Sequence, residues 1–537
     1  MNPGTRKLSD DDRLTFLAHA ISMSSLYGPG PWPPHAQELP DEPPRPDDGR
    51  PYISSAVMDG IRTHHFAIDP DPGAVAEVAD LLRNDAPYER LHDRLAAASA
   101  LAICDELLRE LSRRPPLGQR LYDAGRWLAE HGTRREATKI GIVLVGACGG
   151  EPDRELLLLL GTLEEFTLYA VVALLRTQPD PERAVFELAG RVKDWGRVHA
   201  VERLAGSHDP EVKAWLLREG FRNGITNEYL APIAATTGDL YSALLDPEPD
   251  DALVDGAGDL LAALVVGEGG PTSGISAYAD AVPALARYAD LAATREATLG
   301  RLLSLLSVTE GLREAPADGF GWRGGDLEVL RRRYEEVLGQ PRWSGLALAG
   351  VADPAGADFG AALYCASRLG LPILPQAEAR VRLEPGDDSA WAAVIRLAAP
   401  EALVALAGEL LPVESLANGP GERLFGDGHE QVLESVVEEL GAYPGLGLPL
   451  IRVALRNRLI RVRANAVRSL AAWPTVPEEA LTWVRAAHEA EPDDGVRADM
   501  RTLLTRDVLT RDVLTCDGDR PPHRRDDERR RGGHAAS

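Results

Sequence analysis

Apolar residues recur along the chain at three- and four-residue intervals, in segments of helical length closed by Asp-Pro, Pro-Asp or Gly. "DPGAVAEVADLLRN", "DPERAVFELAGRV" and "DPEVKAWLLREGF" each open on an acid and a proline. In Asp209-Pro210-Glu211 the Asp side chain can accept from the free amides of a first turn. Pro210 already has the φ that turn needs, and Glu211 suits the positive end of the helix dipole. Val212, Trp215 and Leu216 follow at i, i+3 and i+4 and share one face. Each such segment is predicted to be a short amphipathic helix that needs a neighbour.

The pattern fails in two places. Residues 28–51, "GPGPWPPHAQELPDEPPRPDDGRP", have neither helical nor strand period, and their prolines block both, so a loop or extended linker is expected. At 310–325, "EGLREAPADGFGWRGG", the helical run breaks and then resumes. The expected organisation is therefore an N-terminal helix and Pro-rich acidic loop (1–60), helical repeats over 61–313 and 314–509, and a disordered tail (510–537). "LTRDVLTRDVLT" near the end reads as a recent duplication.

The helical segments repeat. "WGRVHAVERLA" at 195–205 aligns without gaps with "RVRANAVRSLA" at 461–471, matching Arg197 with Arg463, Ala200 with Ala466, Val201 with Val467 and Leu204 with Leu470. "GVRADMRTLL" supplies a third copy, with Val496 and Arg497 in the places of Val462 and Arg463. Repetition of small and apolar residues at this period is the mark of an α-solenoid. "DPEVKAWLL" and "VRANAVRSLAAW" resemble the second helix of the HEAT and armadillo-like repeat family, which implies an all-α fold of stacked helix pairs. "WGRVHAVERL…WLLREGFRNGITNEYLA", with "GPGER" and "YPGLGLPLIRVALRN" downstream, is similar to a group of HEAT-like bacterial proteins, some labelled limonene hydroxylase. A haem oxygenase needs an axial thiolate in a defined loop and a flavin enzyme a dinucleotide fingerprint, and neither pattern occurs here.

Composition agrees with helices. Ala and Leu dominate, and aromatic residues are 5% of the chain. A formal charge of −25 repels phosphate backbones, so a nucleic-acid role would require a concentrated basic face such as "RVALRNRLIRVR" (452–463). Cys104, Cys148, Cys365 and Cys516 form no CxxC pair, and no leader-like or membrane-length apolar run is present, so a cytoplasmic, membrane-free chain is expected.

Candidate chemistry is sparse. No HExxH occurs, and "GEGGPTSG" lacks the lysine of a phosphate loop. His64-His65 ahead of "FAIDPDP" offers a conceivable metal pair, but adjacent side chains on regular structure diverge, so no metal and no cofactor is expected. The strongest cluster is Trp195, Arg197, His199 and Glu202, joined at the next inter-helix turn by Arg222, Asn223, Asn227, Glu228 and Tyr229. Gly196 replaces the Val of the sibling copy and is expected to admit a neighbouring backbone. A second candidate is the Gly-rich loop 418–431 with Arg423 and His429.

The first functional expectation is a scaffold or adaptor that binds another protein through these aromatic and Arg anchors. The alternative is an enzyme with a pocket near Trp195 and His199 or the Gly-rich loop, using His199 or His429 as general base. A HEAT-like nucleic-acid-binding protein is the weaker third reading. In each, the competing explanation is that Trp195 is core, Arg197 bonds to the adjacent repeat and Asn227 caps a helix.

Overall fold

The computed structural model describes residues 13–43, 53–113, 118–316 and 319–516, with side chains described as far as 506. Among the described residues the chain is all-α, with 29 α-helices and no strand. A lone bridge joins Arg423 and Leu459. Two compact units form, the first reaching Ala347 and the second starting at Leu348. The break at 310–325 lies inside the first.

The helix starts follow the acid-proline signals. Asp71 accepts from the Ala74 N–H, Asp180 from Arg183, and Asp209 from Glu211 and Val212, each with a proline at the first helical position. Val212 and Leu216 are fully buried, as their spacing predicts. Trp215 is half-buried, with its ring between Phe186 and the Arg197 guanidinium. The helix then widens into a π-turn over Leu216–Gly220.

Within the first unit, helices Pro72–Arg83, Ala100–Ser112, Arg135–Cys148, Glu164–Thr177 and Asp194–Glu202 pack each on the next. Gln119–His131 flanks Arg135–Cys148, and Pro181–Arg191 flanks the last two. Within the second unit the same succession runs through Phe359–Arg368, Asp388–Leu397, Gly428–Glu439, Ile460–Ala472 and Asp494–Cys516. The apolar stretches "IGIVLVGACGG" and "ELLLLLGTL" are interior helices of the first unit, and no described helix is long and apolar enough to cross a membrane.

The aligned arginines share a geometry. Each sits in the first turn of its helix and donates back to a carbonyl of the entering loop: Arg197 to Val192 at 2.9 Å, Arg463 to Asn457 at 2.9 Å and Arg497 to Glu491 at 2.9 Å. Arg301, outside the aligned copies, does the same to Glu296 at 2.8 Å. The recurring Arg therefore satisfies a loop carbonyl that the helix itself cannot reach.

The Pro-rich segment is more tightly held than its composition predicts. As far as it is described, to residue 43, it packs against the first unit through buried Trp32, Ala36 and Leu39. Gln37 bonds to both Thr162 and Glu164, and Asp41 grips Arg135. Residues 44–51 lie outside the described residues. At the other end the last helix runs to Cys516 and takes in the duplicated pentapeptide, while the rest of the expected tail, 517–537, also lies outside them.

Candidate functional site

The sequence-selected residues separate into distinct roles. Asp194 opens its helix at φ +47°, and its N–H donates to the Asn223 carbonyl at 2.5 Å. Asn223 is buried and shapes the following turn: its Oδ1 accepts from Ile225 and Thr226, and its amide donates to Thr226 O at 2.7 Å. Arg197 is buried, with no carboxylate partner among the described residues; it is bonded to Val192 O and lies over Trp215, and burial pushes its guanidinium pKa down. Arg222 pairs with Asp259 at 2.7 Å, and Asn227 opens a short 3-10 turn over Asn227–Tyr229 beside the half-exposed Glu228.

Arg423 and His429 belong to the second unit. The Arg423 carbonyl accepts from Ile460, and His429 is half-exposed with Nδ1 3.9 Å from Asp427. Asp427 caps helix Gly428–Glu439, of which His429 is the second residue.

Trp195, His199 and Glu202 do come together, and they meet residues from far along the chain. Helix Ser55–His65 lies flat on the Trp195 indole: a Cβ at Gly60 would stand 2.2 Å from the ring. One turn later His64 packs on Trp195 at 5.0 Å between centroids and on His199 at 5.4 Å. Its Nε2 meets Glu202 Oε1 at 2.9 Å, and its Nδ1 lies 2.8 Å from the Gly60 carbonyl. Tyr229 closes the group over Trp195 and bonds His65 through its hydroxyl at 2.7 Å. Gly196 faces the Thr167 side chain, whose Oγ1 would be 2.9 Å from a Cβ there, so a side chain fills the space expected for a backbone.

Electrostatics distinguish the three titratable groups. The bond to Glu202 holds His64 above the usual imidazole range, against the opposing effect of burial. Burial pushes His199 down to about 4, helped by the charge of His64. Burial raises Glu202, but its contact with His64 and the neighbouring cations outweigh this and hold it below the ordinary carboxylate range. Among the described residues no hydrogen bond or ion pair joins His199 to a carboxylate, and Glu202 is engaged by His64 instead.

Beside this cluster the first unit contains a cleft of about 1400 Å³. Tyr27, Trp32, Pro33, Pro34, Ile53 and Val57 wall it, and its charged groups are Glu38, Glu42, Glu164, Glu165 and Asp194 against Arg135 and Lys193. Glu164 links cleft and cluster, accepting the Trp195 N–H at 2.9 Å. Burial and then the Asp194 charge push its carboxyl up to about 7. A raised carboxyl binds its proton more tightly in the folded state, so the cost of ionising it grows from pH 4.5 to about 7 and then levels. Glu164→Gln keeps an acceptor for Trp195 and removes that cost. Its stability relative to the parent is expected to rise between pH 5 and 8 by on the order of 2 kcal/mol; parallel pH profiles in denaturant melts would exclude this.

Sequence reasoning grouped Tyr229 and Glu202 with Trp195 but missed Glu164, Arg135 and the pairing of His64 with Glu202. One signal was present: Lys139 is one of four lysines in the chain and stands directly before the apolar run "IGIVLVGA" in the same helix. It is buried, in contact with Asp59, Glu136 and Glu165. No known protein family, curated protein or solved structure matches the chain.

Proposed function

We propose that the chain is a helical-repeat adaptor of the HEAT and armadillo-like kind, which holds a basic, extended segment of a partner protein in the cleft of its first unit. The observation that carries this reading is the cleft itself, with its aromatic and proline walls and five acidic side chains to two basic ones, Glu165 being paired with Lys139 behind the wall and Glu164 holding its proton to about pH 7. Aromatic-lined grooves suit extended chain, because such a segment loses little conformational freedom on docking. An acid excess selects basic side chains and disfavours phosphate backbones, as does the chain's net charge of −25. The repeat part of the proposal is supported by the two successions of packed helices and the recurring first-turn arginine.

Calorimetric titration with three proline-containing ten-residue peptides, bearing Arg, Glu or only neutral side chains, tests it. The Arg peptide is expected to bind at least roughly tenfold more tightly than the Glu peptide. Glu38→Arg at the cleft is expected to shrink that preference several-fold. Equal affinity for the Arg and Glu peptides, or no effect of Glu38→Arg, would overturn the proposal.

A further inference from the structure

We propose that His64, His199 and Glu202 form a binding site for a divalent transition-metal ion of the zinc class. One ligand atom from each lies within 4.8 Å of the others. His199 and Glu202 stand at i and i+3 on helix Asp194–Glu202 and so share a face. His64 enters from helix Ser55–His65, whose seat on Trp195 is fixed by the close contact at Gly60.

The surroundings are those of ligands already aimed. The Gly60 carbonyl engages His64 Nδ1 at 2.8 Å, which turns Nε2 towards Glu202; backbone carbonyls orient metal-bound imidazoles in this way. Arg203 holds Glu202 Oε2 at 2.9 Å and leaves Oε1 facing the histidine. Both nitrogens of His64 thus face oxygens, which an imidazolium satisfies with two N–H groups and a metal-bound neutral imidazole satisfies with Nδ1–H to Gly60 and the ion between Nε2 and Glu202.

The adjacent His199 is only 4% exposed, and a ring nitrogen lies within 4.8 Å of the ligand atoms of both His64 and Glu202, which places its ring as the third ligand.

Two imidazoles and a carboxylate are zinc-type donors at about 2.0–2.2 Å, whereas calcium and magnesium take oxygen ligands. Ligand atoms in a tetrahedral site of that radius are about 3.4 Å apart, so the 2.9 Å spacing of His64 and Glu202 would open by about 0.5 Å and the spacings to His199, at most 4.8 Å, would close by up to about 1.4 Å. Side-chain exposures of 16% for His64 and 27% for Glu202 give the ion a path from solvent. Three protein ligands leave the fourth tetrahedral position to water or another small ligand.

The test uses the full chain, stripped with a chelator and titrated with zinc alone, without peptide, so its outcome is independent of the cleft reading. One equivalent is expected to bind with a Kd of roughly micromolar or tighter. His64→Gln and Glu202→Gln, checked for folding by circular dichroism, are expected to weaken binding at least tenfold, while His65→Gln leaves it unchanged. Cobalt(II) bound to the unaltered chain is expected to give the intense visible bands of a tetrahedral site. Absence of stoichiometric binding, unchanged affinity in folded Glu202→Gln, or the weak bands of octahedral cobalt would each overturn the proposal, the last without recourse to any variant.

Discussion

Lys139→Met is expected to lower the stability of the first unit by about 3–5 kcal/mol, the range for removing one partner of a buried ionic group. The Lys139 ammonium is 1% exposed and lies 2.8 Å from Asp59, 2.8 Å from Glu136 and 2.6 Å from Glu165. Burial alone would push it down, but the three carboxylates outweigh this and hold it well above the ordinary lysine range. Methionine fills much of the same volume, so the loss would come from charge and not from a cavity. Three carboxylates would then lose their shared cation, with Arg135 at 3.9 Å from Glu165 the nearest one left, and Asp59, already raised by burial, would rise further without Lys139. Acids raised in the folded state destabilise as pH increases, so the penalty should be small near pH 4 and fully developed by pH 7. Melting curves across that range would show a Tm deficit of the order of 10 °C at neutral pH that closes on acidification. A deficit independent of pH would mean that packing, not charge, is the role of Lys139.

The same cluster fastens the helix that carries His64. Asp59 bonds Lys139, Gly60 rests on Trp195 and His64 meets Glu202, so one helical turn is fixed at three successive places. None of these pairings is local. Ser55 reaches Glu165 across 110 positions, His64 reaches Glu202 across 138, and Arg135 reaches Asp41 across 94.

That separation explains what could be read from the chain and what could not. Helix type and starts depend on neighbours within a turn, and the acid-proline caps and the i, i+3, i+4 apolar spacing announced them. Trp195, His199 and Glu202 also lie within three turns of one helix, so they could be grouped. Their partners come from a helix whose only visible peculiarity was two adjacent histidines. The Pro-rich segment misled for a different reason: its prolines exclude regular structure but say nothing about packing. Trp32, Ala36 and Leu39 within it are the apolar residues that betray burial. The repeat alignment located Arg197 and Arg463 but not what each guanidinium contacts, which depends on the next helix along.

That last difference leads to unequal consequences for two aligned arginines. Arg463→Met is expected to cost about 3–5 kcal/mol in the second unit, and Arg197→Met about 1–3 kcal/mol in the first. Arg463 and Glu491 are 0% and 1% exposed, and they meet through two contacts, Nε to Oε2 at 2.7 Å and Nη2 to Oε1 at 2.6 Å. Glu491 Oε1 also accepts the Asp493 N–H at 3.0 Å, which ties the pair to the loop before helix Asp494–Cys516. Losing the guanidinium leaves a carboxylate buried with one amide as partner. Losing Arg197 leaves carbonyls of Val192 and Glu219 short of a donor, but no charge without a counterion. Replacing both members of the buried pair, as Arg463→Met with Glu491→Leu, should recover most of the loss, since apolar substitutes of similar size often match a buried ion pair. Native-state hydrogen exchange over residues 460–506 would show protection falling in the single variant and returning in the double. Equal losses for Arg463→Met and Arg197→Met, or no recovery in the double variant, would mean that the loop-carbonyl bond common to both arginines, and not the pairing with Glu491, sets their contribution.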